Sequence, residues 1–114
     1  PKRYLQALTR GRAMAAEIHV GDVGTTFEAT IADEEVPVDL SSAGLLELKF
    51  QQPDGVVVTK TALLTTDGTD GKQYYSTEAG FLSLPGLWRW QPYLELPDWQ
   101  GHGDPLSFWV EDNL

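Results

Sequence analysis

The stretch that decides the fold is GDVGTTFEATIADEEVPVDLSSAGLLELKFQQPDG, residues 21–55. It holds two runs in which apolar and polar side chains alternate, separated by an acidic, turn-rich segment. The apolar members are Phe27, Ala29 and Ile31 in the first run, and Leu46, Leu48 and Phe50 in the second. Successive side chains of a strand point to opposite faces, so this alternation predicts two strands that each have one buried face. A single strand cannot bury that face alone, so the rest of the chain must supply the covering sheet.

The remaining segments continue the same pattern. Near the C-terminus Trp88 and Trp90 alternate with Arg89 and Gln91, which predicts that the two tryptophans face the core. We predict strands at residues 17–20, 25–32, 36–40, 45–52, 56–64, 73–77, 87–96 and 106–111, with a long loop at 97–105. Short strands at intervals of about 8–12 residues, with no helix beyond the N-terminal segment, indicate an all-β fold. The expected architecture is an antiparallel β-sandwich of seven to eight strands.

Composition and charge exclude several classes of protein. The chain has no cysteine, which excludes disulfides, thiolate metal ligands and a cysteine nucleophile. No apolar run approaches the roughly 20 residues that a membrane helix needs, and no apolar segment follows the basic N-terminus as a secretion signal requires. The net charge is −9, and an acidic surface repels phosphate backbones. We therefore expect neither a membrane nor a nucleic-acid partner.

The N-terminal segment differs from the rest of the chain, because it holds four basic residues and no acidic one. We therefore divide the chain into a basic N-terminal arm, residues 1–16, and a β-sandwich, residues 17–114. A short helix in the arm would be marginal in water unless it packed on something. One interpretation is an arm that docks on a neighbouring subunit; the others are an unengaged tail and an extension upstream of an alternative start at Met14. The docking residues would be Arg3, Arg10 and Arg12 for charge, and Tyr4, Leu5 and Leu8 as the apolar anchor.

A series of short motifs runs through residues 20–111. Their residues are Asp22, Gly24, Thr25, Phe27, Thr30, Ile31, Pro37, Val38, Asp39, Leu40, Ser41, Ala43, Phe50, Pro53, Asp54, Gly55, Lys60 and Ala62, followed by Gly86, Trp88, Arg89 and Trp90. In this order they resemble the immunoglobulin-like N-terminal domain of phage baseplate upper proteins. The family pattern is D-x-G-T-x-F-x-x-T-I, then x-P-V-D-L-S-x-A, x-F-x-x-P-D-G and K-x-A.

The resemblance implies an immunoglobulin-like sandwich and a non-enzymatic structural protein of a phage virion that binds neighbouring virion subunits. The baseplate or tail, the neck and a capsid-decorating position are all open. The implied partners are other virion proteins, the implied location is the virion, and the implied assembly is oligomeric or repeated on a symmetric particle. In such an assembly each contact can be modest, because multivalency raises the overall affinity.

The residues that carry chemistry in other proteins lack the required spacing here. His19 and His102 are far apart in sequence and do not have the spacing of metal ligands. Residues 67–71 are similar to the start of a calcium loop but lack the later ligands, so a plain Asp-Gly turn is the alternative. The chain has no nucleophile motif of the G-x-S-x-G kind and no glycine-rich phosphate cradle. We expect no enzymatic activity, no metal and no cofactor.

Aromatic residues in the last third are the other candidates for a binding site. Trp109 has the parity of Ser107 and Glu111, which predicts that it lies on the solvent face of its strand. Trp99 lies in the predicted loop beside His102. Exposed tryptophans favour a protein interface, and we predict Trp99 and Trp109 as partner-binding residues. The alternatives are burial after all, or a carbohydrate-binding module that recognises a cell-surface glycan on Trp99 together with Trp109 or Tyr93.

Overall fold

The structure is a computed structural model that describes residues 7–13 by their backbone, and residues 17–114 in full. These two ranges form eleven strands, and they contain no helix that could cross a membrane. In chain order the strands are β1 (Ala7–Ala13), β2 (Ile18–His19), β3 (Thr26–Asp33), β4 (Val36–Pro37), β5 (Leu45–Gln51), β6 (Val57–Thr61), β7 (Leu63–Leu64), β8 (Lys72–Ser76), β9 (Gly86–Leu96), β10 (Trp99–His102) and β11 (Leu106–Glu111).

The strands form two sheets. The five-stranded sheet has the order β1-β3-β8-β7, with β4 also paired to β3. The six-stranded sheet has the order β2-β11-β9-β5-β6, with β10 also paired to β9. Strands β2 and β11 are parallel, and the other pairs are antiparallel. The predicted all-β sandwich is confirmed, with additional short strands.

An aromatic cluster joins the two sheets. Phe27 of β3 lies edge-on to Phe50 of β5 and to Trp90 of β9, with ring centroids 5.3 and 5.4 Å apart. Phe50 and Trp90 are direct cross-strand partners whose rings stack at 6.0 Å. Trp88 stacks on Phe108 at 5.7 Å, and its indole N–H donates to the carbonyl of Leu84. Edge-on and offset aromatic pairs add about 0.5–1.5 kcal/mol each beyond the area they bury, so the pairs that Phe27 makes with Phe50 and Trp90 help to hold the two sheets together.

A second, aliphatic cluster fills the other end of the sandwich. Its buried members are Ile31, Val38, Leu40, Leu94 and Leu96. Every side chain that the alternation assigned to the core in β3, β5 and β9 is buried or packed against one of the two clusters. The inward face of each sheet is therefore dry, as the pattern predicted.

The predicted N-terminal arm contributes an edge strand to the sandwich. Residues 7–13 form β1, which pairs antiparallel with β3 so that Arg12 is opposite Glu28 and Arg10 is opposite Thr30. This segment is thus a strand and not the short helix that the sequence suggested. Residues 1–6 and 14–16 lie outside the described residues, and docking of the arm on a neighbouring subunit stays a prediction.

One polar side chain is out of place in the core. Gln73 of β8 is fully buried, between Ala29 of β3 and Leu64 of β7 in the ladder. Neither its amide nitrogen nor its amide oxygen has a hydrogen-bond partner among the described residues. A buried amide without partners costs about 1–3 kcal/mol, because it has lost its water and gained nothing.

We predict that Gln73→Met raises the free energy of unfolding by about 1–2 kcal/mol, since methionine matches glutamine in length and needs no hydrogen bond. Urea unfolding followed by fluorescence measures the change. The matched control is Gln100→Met on β10, an exposed position where the change should stay within about 0.5 kcal/mol. A less stable Gln73→Met protein would contradict the assignment of an unsatisfied amide.

Candidate ligand-binding site

The candidate site lies on the outer face of the six-stranded sheet. Inward-facing Phe50 and Trp90 are cross-strand partners, so their neighbours in the same register face outward together. On this outer face Lys49 of β5 is opposite Gln91 of β9, and Gln51 is opposite Arg89. Lys49 and Arg89 are therefore diagonal neighbours, with backbone positions about 7–8 Å apart.

These side chains surround a cavity of about 290 Å³ that opens to solvent. Its polar lining consists of Lys49, Gln51, Arg89, Gln91 and His102. Its apolar lining includes Val57 of β6 and Pro105, which follows β10. The cavity thus joins four strands of the sheet, β5, β6, β9 and β10, and the β10–β11 connection in one small pocket with both polar and apolar walls.

An aromatic ring and a histidine position the lysine of the pocket. The ammonium group of Lys49 lies 5.0 Å from the ring centre of Tyr93 and donates to Nε2 of His102 at 3.2 Å. Because an ammonium has no acceptor, Nε2 must accept, and the neutral His102 ring carries its proton on Nδ1. The His102 ring also packs on Tyr93 with centroids 4.8 Å apart. The lysine side chain is thereby held in place at the pocket wall.

The electrostatics of His102 follow from this packing. Partial burial of the ring, and secondly the charge of Lys49, hold the pKa of His102 below its usual value of 6.5. Both causes disfavour a second positive charge in the pocket. His19, in contrast, has a raised pKa, chiefly because its ring bonds to the carboxylate of Glu17. The pKa values of the two histidines are therefore shifted in opposite directions from the same ordinary value.

The pocket holds cations that have no carboxylate partner. Among the residues described with side chains, Lys60 pairs with Glu78 at 2.5 Å and Lys72 with Glu28 at 4.0 Å. The other two lysine and arginine side chains in that part of the chain are Lys49 and Arg89, and neither forms an ion pair with a described residue. Both line the same cavity, on a protein with 17 acidic residues and a net charge of −9.

A proline inside a central strand explains how the pocket is built. Pro92 lies in the middle of β9, and its carbonyl accepts a hydrogen bond from the amide of Gly103. The N–H and C=O of one strand residue point to the same side, so the nitrogen of Pro92 also points away from β5. On that side the partner of β9 changes from β11, which ends its pairing at Trp90, to β10, which begins at Tyr93. The missing N–H therefore removes no ladder bond.

The predicted loop 97–105 contains a strand that the sequence analysis missed. Strand β10 turns back on β9 and places His102 opposite Tyr93. The Gln91 side chain donates to the carbonyl of Gly103 at 3.0 Å and fastens the connection at the edge of the pocket. The signal was weak because the segment is rich in glycine and proline and has no apolar alternation.

The two predicted partner-binding tryptophans have different environments. Trp109 is 56% exposed on the outer face of β11, as predicted, and lies directly opposite Leu87. Trp99 is half-buried and packs against the aliphatic cluster, and its indole ring covers Gly101 so closely that a Cβ there would lie 2.6 Å from it. Trp99 is therefore part of the packing of β10 rather than an open platform.

The other predicted partner-binding residues belong to the N-terminal arm. Leu8, Arg10 and Arg12 lie in β1, which the structure describes by its backbone. Arg3, Tyr4 and Leu5 lie outside the described residues. Their role in docking is not tested by the structure of one chain and stays a prediction.

The two stretches considered for metal binding do not come together as ligands. Among the described residues no group of three or more His, Asp or Glu side chains could hold a metal ion. His19 is opposite Glu111 of β11, whose neighbour Val110 is opposite Gly86 at the start of β9. His102 is opposite Tyr93, seven residues further along β9, so the two histidines lie roughly 23 Å apart along this strand. A metal site shared by the two histidines therefore does not fit this structure.

The acidic turn that resembled a calcium loop is bonded to its own backbone. The carboxylate of Asp67 accepts from the hydroxyl and amide of Thr69, which lowers its pKa. Asp70 accepts from the amide of Lys72. Gly71 has φ +75°, and an added Cβ would lie 2.5 Å from the carbonyl oxygen of Ile31. The segment is thus a tight Asp-Gly turn that packs against β3.

The fold is similar to that of a solved structure. The crystal structure of CopC from Methylosinus trichosporium OB3b matches with a TM-score of 0.58 at 13% sequence identity, over 95% of this chain and 98% of that chain. At this identity the similarity shows a shared β-sandwich fold and nothing finer. No family model matches the chain, and no curated protein matches it.

The predicted role as a structural protein of a phage virion, whether in the baseplate, tail, neck or capsid, is wrong, because the fold is similar to that of CopC. The resemblance to the immunoglobulin-like domain of baseplate upper proteins is not tested by these comparisons. The predicted partners, oligomeric assembly and virion location are likewise untested.

The alternative role in glycan recognition fails on geometry. Trp99 is opposite Leu96 and Trp109 is opposite Leu87, which places the two tryptophans roughly 30 Å apart along β9. Trp99 packs on the inner, aliphatic side, whereas Tyr93 faces outward over Lys49. Neither aromatic pair can form the coplanar platform that a sugar ring requires.

We predict that the His102 ring titrates below pH 6.5 and the His19 ring above it, in NMR titrations of the imidazole C–H signals. In Lys49→Met the pKa of His102 should rise part of the way back, because the positive neighbour is lost while the burial stays. The control is Lys72→Met on the other sheet, which should leave His102 unchanged. A His102 midpoint above that of His19 would contradict the geometry described for the pocket.

Proposed function

We propose that this protein is a non-enzymatic binding module that takes an anionic ligand in the pocket between β5, β9 and β10. The observation that carries the proposal is that the two cationic side chains of the pocket form no ion pair within the part of the chain that the structure describes. Lys49 and Arg89 lack carboxylate partners among the described residues, although acids outnumber bases about two to one along the chain. A cation left without a partner beside a pocket is available to a ligand.

The side chains around the pocket suit an anionic group that is bound by directed hydrogen bonds, rather than an ion attracted only by net charge. The guanidinium of Arg89 offers a planar pair of donors, and the ammonium of Lys49 offers a point charge. The Gln51 side chain is exposed beside them and supplies an amide that accepts or donates. A carboxylate or phosphate group between Lys49 and Arg89 would be within reach of both cations.

The remainder of the protein makes the site selective. With a net charge of −9 the surface as a whole repels anions, so an anionic ligand is held at this cluster and not over the whole face. Val57 and Pro105 give the cavity apolar walls, which favour an anion that is joined to an apolar group. The similarity to CopC is compatible with a non-enzymatic role.

We predict that benzoate and inorganic phosphate shift the side-chain amide signals of Gln51 and Gln91 in ¹H–¹⁵N spectra, whereas neutral benzamide does not. Charge-assisted hydrogen bonds are worth about 1.5–3 kcal/mol, so Lys49→Met and Arg89→Gln should each weaken anion binding by about 10- to 100-fold. Comparison of the two anions shows whether the pocket prefers a carboxylate or a phosphate.

The matched control is Lys72→Met, which removes a cation that is already paired on the other sheet. Its affinity for benzoate and phosphate should equal that of the wild type. Equal losses in Lys72→Met and Arg89→Gln would mean that only the net charge matters, and the proposed site would be abandoned. An absence of shifts at Gln51 and Gln91 with both anions would lead to the same conclusion.

A further inference from the structure

An exposed apolar pair lies beside the pocket on the same face. Trp109 of β11 and Leu87 of β9 are direct cross-strand partners and are 56% and 52% exposed. The next outward-facing pair along the same two strands is Ser107 and Arg89. Leu87 and Arg89 are two residues apart on one strand, so their side chains are separated by roughly 6.6 Å. The apolar pair is therefore continuous with the cationic pocket.

This arrangement has a defined chemical polarity along β9. The outer face begins with Leu87 and Trp109, continues with Arg89 and Lys49, and reaches Glu95 toward the end of the strand. A ligand that follows β9 would therefore meet an apolar surface, then positive charge, then negative charge. Large apolar side chains side by side at the rim of a polar site are typical of protein interfaces.

We infer that the ligand is an extended polypeptide segment that carries an acidic side chain with a large apolar side chain two positions away. This inference rests on the proposed anion-binding function. Side chains two positions apart on an extended segment point the same way and are spaced by roughly 6.6–6.8 Å, which is the spacing of Leu87 and Arg89. The acidic side chain lies between Arg89 and Lys49, and the apolar side chain covers Leu87 and Trp109.

Charge complementarity selects this occupant over a second copy of the chain. A second copy would bring another net charge of −9 to a surface that already carries Glu47, Glu95 and Glu111. A short segment instead needs one acidic group at the cationic position and no charge elsewhere. Main-chain groups of the segment would be accessible to the amides of Gln51 and Gln91, which lie along the same line.

The test uses acetylated, amidated pentapeptides and the whole 114-residue chain. The first peptide has phenylalanine at position 2, aspartate at position 4 and glycine elsewhere. The second replaces the phenylalanine by alanine, the third replaces the aspartate by asparagine, and the fourth places the two side chains next to each other. We expect the first peptide to bind at least about 10-fold more tightly than each of the others, measured by NMR titration.

Variants of the apolar pair separate the two parts of the site. Trp109→Ala and, independently, Leu87→Ser should weaken the first peptide about 10-fold and the alanine peptide less than about 2-fold. Arg89→Gln should weaken the binding of both peptides. The matched control is Val36→Ala, an exposed apolar position on β4 of the other sheet, where no change is expected. In wild type the indole N–H signal of Trp109 should shift with the phenylalanine peptide and stay in place with the alanine peptide.

Each remaining outcome counts against the inference. Equal binding of the four peptides, or no peptide binding while benzoate still binds, would overturn the peptide ligand and leave the anion site intact. No binding of peptides or anions would overturn both proposals together. A concentration-dependent dimer in sedimentation that disappears in Trp109→Ala would assign the apolar pair to a second copy and would also overturn the peptide ligand.

Discussion

Phe50 and Trp90 stack as neighbours on adjacent strands, and Phe27 of the opposite sheet lies edge-on to both. This contact fixes the register of β5 against β9, because a slip by one residue would turn every inward side chain outward. The same register brings Lys49 and Arg89 to diagonal positions on the solvent side. The aromatic core and the candidate site are thus two faces of one strand pairing, and neither can shift without the other.

Charge distribution gives the site its chemical character. On an acidic protein each cation normally finds a carboxylate, as Lys60 and Lys72 do here. In the pocket, Lys49 is held instead by the Tyr93 ring and a neutral histidine, which orient the ammonium without neutralising it. An ammonium group held by uncharged neighbours still attracts an external anion. A carboxylate neighbour would instead neutralise its positive charge.

The features that could be predicted from the sequence are those that depend on the residues of a single strand, such as which of its side chains are buried. Alternation assigned the buried faces of β3, β5 and β9 because each position depends on the strand that contains it. Strand β10 was missed because it is short and lies in a segment rich in glycine and proline, and β1 was missed because its basic residues resembled a tail. The candidate site was also missed. The alternation showed that Lys49 and Arg89 face outward, but their proximity depends on the register in which β5 pairs with β9. This register cannot be read from the sequence of either strand alone.

The interruption between β11 and β10, at Pro92, has an evolutionary consequence. Here the long strand β9 changes partner on one side, and residues 103–105 connect the two partners at the rim of the cavity. Insertions or deletions in that connection would remodel the cavity while every ladder bond of β5 to β9 stayed in place. Related sandwiches can therefore diverge in what they bind through this short junction, with no change to the framework that carries it.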